Sequence, residues 1–292
     1  MLLNQDIRSK YASKHISNVV FYIPFSYYYV VRLGTIPKWL SWAVIYLFPT
    51  CYYSALTYQG DMCAFAVNYL LILLATFSLY ELGYILNDTM SICREKYPTV
   101  RLYEENFLHF ARNRWWIILV RILYAIMAIA LLVMHVNYQM PSINHQHVLV
   151  TSLSIAAILP IFLLYNRWRN RYNVWLYPIL VSSRYIPFML LYSIDWLAIL
   201  SLFVSFPLVN MIERFSMPRY RFPIARTIIP TEQSKTLFRI GYYTIMTIIA
   251  CALIVAASMD YRYIIPIAIL WLYRIAVYIL TLFHQPENYL NG

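Results

Sequence analysis

Residues 64–86, AFAVNYLLILLATFSLYELGYIL, decide the fold class of this chain. A helix needs about 20 predominantly apolar residues to cross the hydrocarbon core of a bilayer, and this stretch is long enough. Seven further stretches share its length and apolar character: 37–57, 115–135, 147–165, 174–193, 196–213, 237–257 and 262–283. The sequence therefore predicts an all-α, polytopic membrane protein, a helical bundle with eight transmembrane helices.

The composition supports this class and excludes others. Hydrophobic residues make up 62% of the 292 residues and charged residues only 12%, whereas soluble proteins carry about 25% charged residues. Five glycines are too few for a collagen-like or low-complexity chain. We expect an N-terminal cytoplasmic or interfacial segment at 1–35, followed by a single transmembrane domain at 36–292. Residues 12–33 are interpreted as an amphipathic interfacial helix, with a ninth span as the alternative.

Basic residues are concentrated in the loops on one side of this eight-span arrangement. Lys and Arg number 23 against 12 acidic residues, and nearly all of those in loops fall on the side that holds both termini. Positively charged loops face the cytoplasm, so the pattern predicts cytoplasmic termini, and we expect an integral protein of the bacterial inner membrane. Membrane lipids are the expected partners of these loops. Charge distributed in this way does not indicate binding to nucleic acid.

The second span becomes polar at its cytoplasmic end without a break in the helical pattern. Residues 80–96 read YELGYILNDTMSICREK, and helical spacing places one acidic stripe along them. The stripe consists of Glu81, Tyr84, Asp88, Ser91 and Glu95. A carboxylate near the bilayer centre costs about 2.5 to 3.5 kcal/mol on insertion scales, so it normally faces a cavity, a cation or a partner. The stripe is therefore a candidate functional site.

Two acids of this stripe have alternative interpretations. Glu81 lies deepest in the span, and we interpret it as a functional group. The alternative is a structural ion pair with a buried arginine, either Arg121 or Arg184. For Asp88, which lies near the membrane interface, the alternative is a solvated helix end.

A second polar helix end closes the sixth span. Asn210–Arg214 reads NMIER and precedes a basic loop that contains Arg219 and Arg221. In the eight-span arrangement the second and sixth spans run in the same direction, so both polar ends reach the cytoplasmic side. Carboxylates that share Mg²⁺ with a phosphate, together with arginines that donate paired hydrogen bonds, suit a phosphate or diphosphate ligand. The apolar part of such a ligand would lie in the membrane.

These residues resemble the UbiA superfamily of intramembrane prenyltransferases. Its first signature, NDxxDxxxD, is similar to Asn87–Glu95, NDTMSICRE, with Lys96, Pro98, Thr99 and Arg101 at the following family positions. Arg32–Pro37 resembles the entry to the family's first span, and Asn210–Arg214 stands where its second motif lies. The chain departs from the pattern where Ser91 replaces the second aspartate, Glu95 replaces the third, and Arg214 reverses a charge.

The resemblance implies a helical bundle around a lateral cavity and a transferase that moves a prenyl group from a polyprenyl diphosphate or lipid phosphate to an acceptor. It implies catalytic roles for Asp88, Glu81 and Tyr84, and Mg²⁺ held by Asp88, Glu95 and Glu213. The implied substrate-binding residues are Asn87, Ser91, Lys96, Arg101, Asn210, Arg214, Arg219 and Arg221. Because motif acids are missing, we expect one Mg²⁺ ion, or none with arginines neutralising phosphate directly. A phosphoribosyl-type transferase is a related alternative.

Two other classes remain open. A UbiA-like protein that binds a lipid phosphate without catalysis would also lose motif acids. A secondary transporter would explain intramembrane acids and the prolines within spans, Pro160, Pro178, Pro187 and Pro266. The polar residues lie at cytoplasmic helix ends rather than at the bilayer midplane, which disfavours the transporter.

Overall fold

The computed structural model describes residues 16–92, 99–168, 173–217, 220, 222–229 and 232–283. About 85% of these described residues are helical, and none of them lies in a strand. The α-helices, in chain order, are α1 Ile36–Trp42, α2 Phe48–Thr57, α3 Met62–Leu86, α4 Glu104–Gln139, α5 His145–Ala156, α6 Ile158–Arg167, α7 Asn173–Ser183, α8 Ile186–Leu190, α9 Trp196–Phe203, α10 Val209–Phe215, α11 Pro223–Ile228, α12 Glu232–Ala257 and α13 Ile265–Phe283. The predicted all-α class is confirmed.

Six helical runs among the described residues are long and apolar enough to cross a membrane. They are Met62–Ser91, Glu104–Gln139, His145–Arg167, Trp196–Phe215, Ser234–Ala257 and Tyr261–Leu280. Each overlaps one of the eight predicted spans. The protein is therefore an integral membrane protein built as a helical bundle.

The other two predicted spans have a different form. Residues 36–57 are helical throughout, but a π-helical turn at Ala43–Leu47 separates α1 from α2. Residues 174–193 are divided between α7 and α8, and α8 begins at Ile186 with Pro187 in its first turn. Because proline lacks the amide hydrogen of an interior helix position, it favours a new helix start there. Neither segment is among the six long apolar runs.

The described part of the N-terminal segment is not one continuous helix. It contains a 3₁₀ turn at Asn18–Phe21 and a π-helical turn at Tyr28–Leu33. The π turn ends at Gly34, whose φ of 66° lies in the left-handed region that favours glycine. The segment therefore reaches α1 through a sharp change of direction. The described part of 12–33 is therefore not the single helix that was predicted, and its position at the membrane interface stays a prediction.

Helix α3 is the central helix of its part of the chain. The carboxylate of Asp61 caps its first turn by accepting a hydrogen bond from the amide of Ala64 at 2.8 Å. Every residue of 75–83 is buried, because α3 packs against α4, α5, α6 and α8. This burial removes the polar side chains near its C-terminal end from water.

A π-helical turn, Asn87–Ser91, extends α3. A π turn holds more residues than an α turn, so it rotates the following positions relative to the preceding helix face. The straight stripe expected from Glu81 to Glu95 therefore changes its register at Asn87. The segment carrying Glu95 and Lys96 lies outside the described residues.

The chain divides into two compact units. Unit 1 comprises Met1–Arg169 and Ser183–Ile194, and unit 2 comprises Asn170–Ser182 and Asp195–Gly292. In unit 1 the N-terminal segment packs against α3 and α4 through buried apolar side chains that include Phe21, Ile85 and Phe110. In unit 2, α12 packs against α10 and α13. The expected boundary at residue 35 and the single domain after it stay predictions.

Candidate functional site

A fully buried ion pair binds the backbone of the N-terminal segment in the interior of unit 1. Glu81 on α3 and Arg121 on α4 are 0% exposed, and their charged groups approach to 2.5 Å. The same carboxylate accepts hydrogen bonds from the backbone amides of Phe25, at 2.7 Å, and Tyr28, at 2.6 Å. Glu81 thus binds the backbone of a segment more than fifty residues away in sequence.

Arg121 completes this network on the other side of the segment. Its Nε donates to the carbonyl of Phe21 and its Nη2 to that of Val20, both at 2.8 Å. Its remaining Nη1 donates to Glu81. The geometry favours the alternative interpretation of Glu81, a structural ion pair with Arg121. Its assignment as a catalytic residue stays a prediction.

Asp88 lies among positively charged and hydroxyl groups in the π-helical turn that follows α3. Its carboxylate accepts a hydrogen bond from Arg32 at 2.6 Å and from the hydroxyl of Tyr27 at 2.8 Å. Arg101 approaches the same carboxylate at 3.4 Å, and the amide of Asn87 donates to it at 3.2 Å. One buried carboxylate is therefore shared by two guanidinium groups, and we call Asp88, Arg32, Arg101 and Tyr27 the Asp88 cluster.

The cluster has an excess positive charge and an exposed side. Burial, reinforced by the negative charge of Asp88, raises the pKa of Tyr27 well above its ordinary value, so the hydroxyl stays protonated and donates. Two arginines against one carboxylate leave a net charge of about +1. The Asp88 side chain is 1% exposed, whereas that of Arg101 is 32% exposed. An anion approaching from that side can reach Arg101 without displacing Asp88.

Arg32 is also held against an aromatic ring. Its guanidinium carbon lies 4.1 Å from the centre of the Tyr84 ring, which is a cation–π distance. The Nε of Arg32 is buried and has no hydrogen-bond partner among the described residues. The family resemblance implied a catalytic role for Tyr84. The structure shows Arg32 over that ring, and the catalytic role stays a prediction.

Aromatic rings continue from Tyr84 into the interior of unit 1. Tyr84 stacks on Tyr28 at 5.8 Å between ring centres and meets Tyr80 edge-on at 5.1 Å. The guanidinium of Arg184 lies 5.3 Å from the Tyr80 ring and 5.1 Å from the Tyr46 ring. Rings of this kind offer weakly polar faces to cations and to unsaturated chains.

An apolar groove of about 450 Å³ lies next to these rings. Its lining is almost entirely aromatic or aliphatic: Phe25, Ser26, Tyr28, Tyr29, Leu33, Trp39, Trp42 and Leu73. Tyr28 belongs to this groove and also stacks on Tyr84, the ring that carries Arg32. A polar, cationic cluster and an apolar groove are therefore joined through two tyrosines.

The residues predicted from the second motif lie in unit 2. Glu213 forms a paired ion contact with Arg239, including one bond from Arg239 Nη2 at 2.7 Å. The amide of Asn210 donates to its own helix, at the carbonyl of Phe206. The guanidinium of Arg214 lies 3.5 Å from the centre of the Tyr177 ring. In this structure Glu213 contacts an arginine that the sequence analysis did not single out.

The structure brings together some of the predicted residues and adds others. Asn87, Asp88 and Arg101 meet in one place, with Tyr84 beside them through Arg32. Ser91 lies half-buried in the π turn. Sequence reasoning missed Arg32 and Tyr27 as site residues, although Arg32 opens the Arg32–Pro37 stretch that resembles a family entry segment. The remaining assignments, Glu95, Lys96, Arg219 and Arg221, lie outside the described residues.

The described members of the predicted Mg²⁺ set do not fit that ion. Both oxygens of Asp88 accept hydrogen bonds from cationic or hydroxyl donors, and both oxygens of Glu213 accept from Arg239. Mg²⁺ requires carboxylate oxygens that are free to coordinate it. Among the described residues no group of three or more His, Cys, Asp or Glu side chains is placed to hold a metal. The prediction of Mg²⁺ binding rests on Glu95, which is outside that part of the chain.

The whole chain was compared with known proteins. No protein-family model, no curated protein and no solved structure matches it.

Proposed function

We propose that the protein is an intramembrane transferase of the UbiA type, which binds a polyprenyl diphosphate or lipid phosphate in unit 1 and transfers its prenyl group to an acceptor. The observation that carries this proposal is the Asp88 cluster, with its two arginines, adjoining an apolar groove through Tyr28 and Tyr84. The arrangement suits a ligand with a phosphate at one end and a hydrocarbon chain at the other.

Arg32 and Arg101 are the proposed phosphate ligands. A guanidinium can donate two parallel hydrogen bonds to phosphate, and such charge-assisted bonds are stronger than neutral ones. Asp88 and Tyr27 hold the inner arginine in place, while the more exposed Arg101 is able to turn towards the ligand. The excess positive charge favours an anion, because an unpaired charge near the membrane is costly.

The groove is the proposed binding place for the hydrocarbon chain. A volume of about 450 Å³ falls within the range of roughly 300–1,000 Å³ that is typical of small-molecule sites. The groove takes the first units of a polyprenyl chain, and the rest extends into the surrounding lipid. Its aromatic lining provides flat faces for the planar double bonds of that chain.

In the proposed reaction, the bond between the allylic carbon and the phosphate oxygen breaks, and its electron pair stays on the departing phosphate. The acceptor forms a new bond to the allylic carbon and then loses a proton. Arg32 and Arg101 stabilise the negative charge that develops on the leaving group, in a site where water is scarce. This step needs no group beyond the arginines to neutralise phosphate.

The finer features of the membrane arrangement belong to the same proposal. We expect residues 36–57 and 174–193 to complete eight spans with the six long apolar helices. Both termini then lie in the cytoplasm of a bacterial cell, on the side of the basic loops. The lateral cavity of the UbiA type corresponds to the aromatic groove of unit 1.

A lipid-phosphate-binding protein without catalytic activity is the second candidate. It is favoured by one observation, namely that Asp88 and Glu213 are both engaged by arginines. Both candidates share the binding site and differ only in turnover.

Turnover assays with a purified full-length chain test the transferase proposal. The protein is incubated with a series of polyprenyl diphosphates, polyprenyl phosphates and candidate acceptors, with and without a chelator, and the lipid products are identified by mass spectrometry. Consumption of a donor that is lost in Arg32→Gln and kept in Arg262→Gln, which changes an exposed arginine of unit 2, supports it. If the protein binds a donor but consumes none of the donors with any acceptor tested, the result favours the lipid-phosphate-binding protein without catalytic activity.

A further inference from the structure

The N-terminal segment of unit 1 contains a residue with a strained backbone, Phe25. Its φ of 71° lies in the left-handed region, which glycine adopts readily and which is an outlier for a bulky residue. Such strain persists only where the surrounding structure holds it, and it is concentrated at active sites and ligand clamps. A phenylalanine in place of a glycine at this turn therefore indicates that the ring has a role.

The strained turn is held by the buried carboxylate of Glu81. That carboxylate accepts hydrogen bonds from the backbone amides of Phe25, at 2.7 Å, and Tyr28, at 2.6 Å. Its ion pair with Arg121 fixes its position, and hydrogen bonds to a charged acceptor are roughly twice as strong as neutral ones. One buried side chain therefore holds the backbone at both residues.

The rings of the same two residues form part of the wall of the apolar groove. Phe25 and Tyr28 both line it. The Phe25 ring stacks on that of Phe77 with 4.9 Å between centres, and the Tyr28 ring meets the Phe77 ring edge-on at 5.6 Å. Phe77 lies on α3 and is fully buried, so it supports both rings. The amide bonds to Glu81 and the contacts with Phe77 together determine where this wall lies.

Phe25 lies beside the hydrocarbon chain of the proposed ligand rather than its phosphate. Its stacking partner Phe77 precedes Asp88 by eleven residues in the sequence, which corresponds to about 16 Å along a helix. The Phe25 ring is therefore well removed from the arginines that are proposed to bind phosphate. A change of this ring alters the groove without altering the phosphate ligands.

We propose that Phe25 is a specificity-determining residue, whose ring limits the width of the hydrocarbon chain that the groove accepts, and that Glu81 is the positioning residue that holds it. This inference deepens the proposed function and rests on it for the ligand class. A wider chain requires the ring to move, and the amide bonds to Glu81 and the stacking on Phe77 oppose that movement. A smaller side chain at position 25 widens the groove.

Binding of two probes to the purified full-length protein in detergent tests the inference. One probe is a polyprenyl monophosphate, and the other is an alkyl monophosphate of similar length with a biphenyl group in its chain. The ratio of their dissociation constants measures discrimination against the wider chain. We expect the wild type to favour the polyprenyl probe, and Phe25→Ala and Phe25→Gly to reduce this preference at least about tenfold. Tyr261→Ala removes an exposed ring of unit 2 and should keep the wild-type ratio.

Two comparisons test how the ring is held. Phe25→Ala and Phe25→Gly lose the same ring, but only glycine adopts the left-handed conformation without strain, so we expect the glycine variant to melt at the higher temperature. Glu81→Gln offers one acceptor oxygen to the two amides and should also reduce the preference for the narrow probe. A higher melting temperature for Phe25→Ala, or a wild-type ratio in Glu81→Gln, would overturn the positioning role.

Arg32→Gln distinguishes failure of this inference from failure of the proposed function. It should weaken both probes by the same factor and keep their ratio. If it does so while Phe25→Gly also keeps the wild-type ratio, or if the wild type binds both probes equally, the inference is wrong and the phosphate site stands. If Phe25→Gly reduces the preference but Arg32→Gln weakens neither probe, the phosphate site is wrong and chain selection by Phe25 stands. Failure of the wild type to bind either probe would overturn both.

Discussion

At the scale of single residues, two carboxylates that the sequence places on one helix have different surroundings. Glu81 is closed in by Arg121 and by two backbone amides, whereas Asp88 is shared by Arg32 and by the partly exposed Arg101. The buried network around Glu81 stabilises the fold. The partly exposed group around Asp88, which has an excess positive charge, can bind an anion. We therefore assign the binding chemistry to the surroundings of Asp88.

The role of Glu81 can be tested by removing its charge. Glu81→Gln leaves Arg121 as an unpaired buried cation, and breaking a buried ion pair typically costs about 3–5 kcal/mol. We expect a clear fall in the melting temperature of the protein in detergent. Glu105→Gln, an exposed position on α4, should leave it nearly unchanged. Full stability in Glu81→Gln would contradict the structural role and favour the catalytic assignment.

The sequence could predict Asp88 and Arg101 as neighbours because they lie close together after one span. It could not predict that Arg32 and Tyr27 join them, since that contact depends on how the N-terminal segment folds back across α3. Likewise, the sequence offered Arg121 and Arg184 as equal partners for Glu81. Only the packing of α3 against α4 distinguishes them.

At the scale of elements, helix α3 carries the site and its packing is tight. A side-chain carbon added at Gly83 would overlap the ring of Phe162 on α6. Gly83 therefore permits a close approach of two helices that the apolar pattern alone does not reveal. The π turn at Asn87–Ser91 is equally hidden from helical periodicity, and it determines which way Asp88 faces.

This close approach gives a prediction with a matched control. Gly83→Ala should destabilise the protein by about 1–3 kcal/mol, the usual cost of overpacking a core. Gly241→Ala changes a glycine of α12 around which an added carbon would meet nothing within 4 Å. That variant should be neutral or slightly stabilising, because alanine favours helix. Equal melting temperatures for the two variants would show that α3 and α6 do not approach in this way.

At the scale of the whole molecule, composition and hydropathy were enough to predict a helical membrane protein. The number of spans was harder, because α1 and α2 contain a π turn and α7 and α8 are separated near Pro187. A short or interrupted helix is hard to recognise as a membrane span, because neither its apolar composition nor its length is distinctive. The sequence pattern also could not predict which segments make up each compact unit.

The eight-span proposal can be distinguished from six spans by the positions of two loops. Residues 174–193 lie between the loop that contains Thr99 and the loop that contains Thr227. If this segment crosses the membrane, Thr99 and Thr227 face the same side. If only the six long helices cross it, the two residues face opposite sides. Single cysteines at these two positions are labelled with an impermeant reagent in intact and opened cells, after replacement of Cys51, Cys63, Cys93 and Cys251. We expect protection of both in intact cells. Labelling of one alone would contradict eight spans.

We propose that the arginines around Asp88 bind the phosphate of a lipid directly. The most direct test measures the dissociation constant of a polyprenyl phosphate for the purified protein in excess chelator, in the wild type and in Arg32→Gln, Arg101→Gln and Arg262→Gln. We expect binding without divalent metal, weakened at least about tenfold by each of the first two changes and unaffected by the third. Binding that requires added Mg²⁺, or that survives both Arg32→Gln and Arg101→Gln, would contradict it.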